Sequence, residues 1–168
     1  MKSYVYFVLS LSLLVSISLA GCGDGGDDSN STNNNNSSEE TYVSLCAETP
    51  DIDSWTGSAI ERVGEHYALS LAAISPDPWA VGDNDWRIEV TDKDGGAVEG
   101  AALFVTPYMP DHGHGVSPPN YNGVLGEDGV YTIDTFNLIM PGFWEMTVTV
   151  SSDDLPTEYI AFRICVES

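Results

Sequence analysis

The sequence predicts an all-β domain, an immunoglobulin-like antiparallel β-sandwich, and three observations carry that reading. Short runs rich in β-branched and aromatic residues recur at Tyr67–Ile74, Trp86–Thr91, Ala101–Thr106, Val130–Phe136, Phe143–Val150 and Glu158–Val166. Turn signals separate them: Pro76-Asp77-Pro78, Asp92 to Gly96, Glu127-Asp128-Gly129, Pro141-Gly142 and Ser151 to Pro156. Within the fifth run, Trp144, Met146, Val148 and Val150 fall on one face while Glu145, Thr147 and Thr149 fall on the other. That is the period of a half-buried antiparallel strand.

Ahead of the domain the chain has a different character. Lys2 places a positive charge before an apolar run from Tyr4 to Leu19, the layout of a signal peptide over residues 1–21. The run falls short of the ~20 apolar residues that a spanning helix uses. It ends in Leu19-Ala20-Gly21-Cys22, which resembles the bacterial lipobox. That resemblance implies cleavage before Cys22 and lipid on its thiol, hence an extracytoplasmic lipoprotein held to a membrane by acyl chains. An ordinary signal peptide or an uncleaved anchor is the alternative. Gly23 follows Cys22, and similarity to the sorting rule of some two-membrane bacteria implies the outer membrane. Residues 22–40 then carry Gly, Asp, Ser, Asn, Thr and Glu, including Asn33 to Asn36. No apolar side chain there offsets the entropy of ordering, so this segment reads as a disordered tether.

Residues 41–168 are the right size for one domain with its own core. Only five Lys and Arg stand against 26 Asp and Glu, a balance that repels nucleic acid and anionic headgroups and draws cations. Solubility alone is the plainer account of it. Once Cys22 is set aside, Cys46 and Cys165 remain at opposite ends of the domain, and an even pair in an exported protein points to a disulfide. A copper-binding thiol pair is the alternative, without a CxxC or CxC spacing to support it.

One stretch departs from the strand-and-turn pattern: Tyr108-Met109-Pro110-Asp111-His112-Gly113-His114-Gly115. It holds two of the three histidines, one residue apart. An extended His-x-His presents both imidazoles to one side, and Gly113 between them lets the backbone bend toward a common ion. Met109 adds a thioether, and Met140, at a Met-Pro-Gly turn before a strand, is a further candidate ligand, as is Asp111. Imidazole with thioether suits copper better than calcium or magnesium, whose sites are oxygen-rich.

The segments Met109 to Gly115, Gly129-Val130-Tyr131 and Leu138 to Met146 together resemble the YtkA-like domain, over roughly Trp86 to Val166. That family occurs in exported, often lipid-anchored bacterial proteins, and the resemblance implies an immunoglobulin-like sandwich. A looser similarity of ligand type, Met and His on a small extracytoplasmic sandwich, links the chain to periplasmic copper chaperones, although the spacing differs from theirs.

Two readings follow. In one, His112, His114, Met109 and Met140 hold copper for an accessory or sequestering protein on a membrane tether. In the other, the histidines only brace a Gly-rich loop of a structural module that docks onto an envelope protein. Recognition of a non-metal ligand by the same loop is a third use. Met146 shares a face with Trp144 and Val148 and reads as core, as do Trp55, Trp79 and Trp86 at core and rim, whereas His66 reads as surface. The folded region lacks a Gly-x-Ser-x-Gly elbow, and no third histidine stands near the loop pair, so an enzyme is not expected.

Overall fold

The computed structural model describes residues 45–167 with the exception of residue 99. The expected signal peptide, the lipidation site Cys22 and the tether lie outside the described residues.

After a 3-10 turn at Leu45–Ala47, the β-prone runs form ten strands. These are β1 (Ile60–Val63), β2 (Tyr67–Ser75), β3 (Gly82–Asp92), β4 (Ala102–Met109), β5 (His114–Gly115), β6 (Tyr121–Leu125), β7 (Val130–Ile133), β8 (Phe136–Leu138), β9 (Gly142–Ser151) and β10 (Glu158–Val166). Every strand pairing is antiparallel. The path β1-β2-β3-β7-β6-β4-β9-β10 curls until β1 touches β10, giving an all-β sandwich close to a closed barrel.

The turn of the path from one layer to the other lies in β6. Tyr121 and Asn122 pair with β4, whereas Gly123, Val124 and Leu125 pair with β7. The switch falls at Gly123, where an added Cβ would stand 2.7 Å from Leu103 Cδ2 and 3.3 Å from the Leu103 carbonyl oxygen. Close approach of backbone and neighbour is what a glycine inside a strand permits.

The alternation read in the sequence sets the core. Trp144, Met146, Val148 and Val150 of β9 are buried, and so are Ile160, Phe162, Ile164 and Val166 of β10 and Tyr67, Leu69 and Leu71 of β2. Trp86 of β3 joins the layers, its ring edge-on to Phe136 at 5.5 Å and to Phe162 at 5.8 Å. Burial of each such side chain contributes roughly 1.5–3 kcal/mol. Trp79 belongs to the same core and Trp55 packs against it.

Three differences from the expected strands have physical causes. The run expected at Val130–Phe136 is two strands, because both β7 and β8 pair with β3, at Arg87–Glu89 and at Gly82–Asn84. The jog at Asp134 and Thr135 shifts the buried set from Tyr131 and Ile133 to Phe136 and Leu138, which a single period-2 strand would not allow. Second, β4 runs past Thr106 to Met109; Pro107 falls in the gap between the residues paired with β6 and those paired with β5, a position open to proline. Third, β1, β5 and β6 carry little apolar alternation and are held by their partners. His66, in the turn between β1 and β2, is half-buried.

Cys46 and Cys165 form a disulfide with Cα atoms 5.8 Å apart, joining the 3-10 turn to the last strand across 119 positions of sequence. With both sulfurs in this bond, the thiol pair is not a copper ligand set.

Candidate functional site

The histidine stretch is the tip of the β4–β5 hairpin. Met109 and His114 are cross-strand partners, and Tyr108 pairs with Gly115. The Met109 carbonyl closes the turn by accepting the N–H of His112 at 3.2 Å and of Gly113 at 2.9 Å. Gly113 has φ +68°, the left-handed conformation that glycine adopts without strain. At Gly115 an added Cβ would come within 2.8 Å of the Pro107 carbonyl oxygen, so the hairpin also needs its second glycine.

This geometry brings the two imidazoles together, with ring centres 5.8 Å apart and planes inclined by 46°. His114 Nδ1 lies 2.9 Å from the Gly115 carbonyl oxygen. A carbonyl can only accept, so Nδ1 carries the proton, and in the neutral ring Nε2 then carries the lone pair. An ion bonded to one nitrogen of each ring at about 2.0–2.1 Å would stand about 3.2 Å from each ring centre. Two rings sharing an ion therefore have centres no more than about 6.4 Å apart by the same measure. The observed 5.8 Å satisfies that bound.

The two methionines are placed differently from the histidines. Met109 is fully buried, beneath the hairpin and within the core. Met140 is half-buried against the core, and its carbonyl accepts the indole N–H of Trp144 at 3.1 Å. Asp111 lies on the turn with its Oδ1 buried. Among the described residues, no three of His, Cys, Asp and Glu gather as a metal-binding group.

Sequence reasoning gave Trp144 to the core alone. Its ring, fully buried, also packs against His114 at 6.3 Å and 75°. The β4–β9 register pairs Tyr108 with Glu145 and so sets Trp144 beside the strand end that carries Met109. No local pattern announces that register; only the ladder between distant strands makes it. On the outer face of β9, Glu145 faces Arg163 of β10 at 3.6 Å.

The fold and the hairpin together define a small all-β sandwich domain with a histidine-bearing hairpin at one end. The model of the YtkA-like family matches residues 65–149, and the chain belongs to that family. The match begins nearer the N-terminus than the Trp86 expected from the motifs and stops short of Val166. None of the curated proteins matches the chain. Among solved structures it is similar to a DUF4426 family protein from Pseudomonas aeruginosa, at 13% identity and a TM-score of 0.47, covering 67% of this chain and 97% of that one.

Proposed function

We propose that this YtkA-like domain is the extracytoplasmic part of a lipid-anchored lipoprotein that holds copper at the β4–β5 hairpin, as an accessory or sequestering protein. One observation carries the metal reading: His114 Nδ1 lies 2.9 Å from the Gly115 carbonyl oxygen, which leaves Nε2 of the neutral ring as its ligating nitrogen, and the His112 ring centre stands 5.8 Å from that of His114. Metal-ligating histidines are held in this way, with the second ring nitrogen giving its proton to a carbonyl or carboxylate. Met109, the cross-strand partner of His114, and Met140, packed against the same core, are the thioethers this reading adds, a donor type that favours copper. The excess of 26 acidic over five basic residues raises the local concentration of cations. The role is binding rather than catalysis.

The lipobox-like Leu19-Ala20-Gly21-Cys22 supports the anchor, and Gly23 after it favours the outer membrane. An acyl anchor on Cys22 leaves the domain free to meet ions or an envelope protein outside the cytoplasm. Mass spectrometry of the mature N-terminal peptide tests this part: a diacylglyceryl Cys22, lost with cleavage in Cys22→Ala, is the expected result. An unmodified mature N-terminus elsewhere refutes it.

The complete burial of Met109 favours a second reading, in which the hairpin is a rigid docking element and its histidines serve the turn. A titration of the full chain in detergent separates the two, with Cu(I), Cu(II) and Zn(II) against a competing chelator. Stoichiometric copper binding that disappears in the His112→Ala, His114→Ala variant, with circular dichroism unchanged, supports the copper site. If no metal binds and the variant is merely less stable, the copper reading is wrong and the hairpin is structural.

A further inference from the structure

The strand side of the hairpin that faces the core is soft and apolar, whereas the turn carries the buried Asp111 Oδ1. Met109, the cross-strand partner of His114, is fully buried, and Trp144 lies against His114 with its ring centre 6.3 Å away. The indole N–H of Trp144 is already given to the Met140 carbonyl, which fixes the ring and ties it to the Met-Pro-Gly turn. Glu145, the neighbouring carboxylate on β9, alternates to the other face and is engaged with Arg163.

We propose that the His112–His114 site takes Cu(I) in preference to Cu(II) or Zn(II), with Trp144, Met109 and Met140 forming its inner wall. The proposal rests on the copper reading above and adds the oxidation state. Removing an ion from water has a Born cost that rises with the square of its charge, so a divalent ion loses about four times as much as a monovalent ion of the same size. A wall of indole and thioether returns little of that to a hard divalent ion, which wants oxygen, water or several nitrogen ligands. Soft donors favour Cu(I), whose low charge makes the dehydration tolerable. Two imidazoles that approach to 5.8 Å on the open side complete the donor set.

The test uses the full chain in detergent, without oxygen, titrated with Cu(I), with the redox-inert Ag(I), and separately with Cu(II) and Zn(II). Tryptophan emission and chelator competition are the readouts. The monovalent ions are expected to bind one per chain, at least about tenfold more tightly than either divalent ion, which is about 1.4 kcal/mol. They quench emission in the native chain, and Trp144→Phe removes that quench while the ion still binds. Met140→Leu keeps the volume and is expected to weaken Ag(I) binding about tenfold while leaving Zn(II) unchanged. Cu(II) or Zn(II) binding through the two histidines as tightly as Cu(I) overturns the selectivity but leaves the copper reading standing. Quenching that survives in Trp144→Phe overturns the inner wall, and binding of none of the four ions overturns both readings. Where Trp144→Phe fails to fold, the affinity ratio on the native chain decides.

Discussion

Glu158 occupies the space that a side chain on Gly64 would need: a Cβ built on Gly64 runs into the Glu158 carboxylate. That carboxylate reaches from β10 to the β1–β2 turn and accepts the backbone N–H of Glu65 at 2.5 Å, of His66 at 3.0 Å and of Tyr67 at 3.1 Å. Thus the two edge strands of the curled sheet are joined by a side chain where no β-ladder joins them, and Gly64 is the residue that makes room.

Gly64→Ala should expel the carboxylate and break those hydrogen bonds. Bonds to a charged acceptor are individually worth about 1.5–3 kcal/mol, and solvent access at this rim reduces them. A loss of about 1–3 kcal/mol in the free energy of unfolding by urea is expected. An alanine variant as stable as the native chain refutes the relationship.

The same contact sets a dependence on pH. Partial burial on its own raises the Glu158 pKa, but the N–H donors of Glu65, His66 and Tyr67 more than reverse this and hold it below the usual glutamate range. Its contribution to stability is therefore complete above the unfolded-state value of about 4.3 and is lost as the pH falls through the lower folded-state value. Urea unfolding of the native chain and of Glu158→Gln should differ most near neutral pH and converge on acidification below about pH 4. A gap that widens in acid contradicts the assignment.

Reduction of the Cys46–Cys165 disulfide releases a loop with a sequence separation of 119. The loop-entropy relation gives a loss of about 3–5 kcal/mol, a large part of the stability of a domain this size. Comparing the Cys46→Ser, Cys165→Ser variant with the native chain by thermal and urea unfolding measures it, and a difference under about 1 kcal/mol argues against the loop-entropy account.

Gly113 tests whether the hairpin's shape governs its chemistry. Nothing but the Tyr108 hydroxyl, at 3.9 Å, lies near an added Cβ there, so Gly113→Ala suffers from its positive φ rather than from a clash. It should cost about 1–2 kcal/mol, and Gly113→Asn, which tolerates that conformation better, should cost less. Both can be measured by urea unfolding, along with the separation of the His112 and His114 ring signals by NMR. Equal loss in both variants counts against the backbone explanation.

Much of the fold was legible because its strands alternate cleanly. The runs at Tyr67, Trp86, Phe143 and Glu158 announce themselves by the alternation of their apolar residues; the structure keeps Glu158–Val166 as read and extends the other three by one to five positions in all. What escaped was whatever depends on partners. Strand β6 has Val124 and Leu125 exposed and a glycine at its centre, so no local period marks it. The break between Ile133 and Phe136 is visible only as a change of phase, three positions where two would continue a strand. At the hairpin, the sequence supplied His112, His114, Met109 and Met140; the ladders revealed the burial of Met109 and the contact of Trp144 with His114.

The disulfide also determines how mechanical load enters the domain. Tension on the chain ahead of Cys46 does not have to travel through residues 47–59 and peel β1 from the sheet edge; the covalent bridge delivers it to Cys165. From there it spreads along β10 into β9, where Cys165 faces Phe143, and from β9 into β4, which carries the histidine hairpin. Those ladders are long, nine residue pairs between β10 and β9 and seven between β9 and β4. The bridge thus enters the fold at the end of the sheet that also carries the hairpin: Cys165 faces Phe143, two positions along β9 from Glu145, the partner of Tyr108.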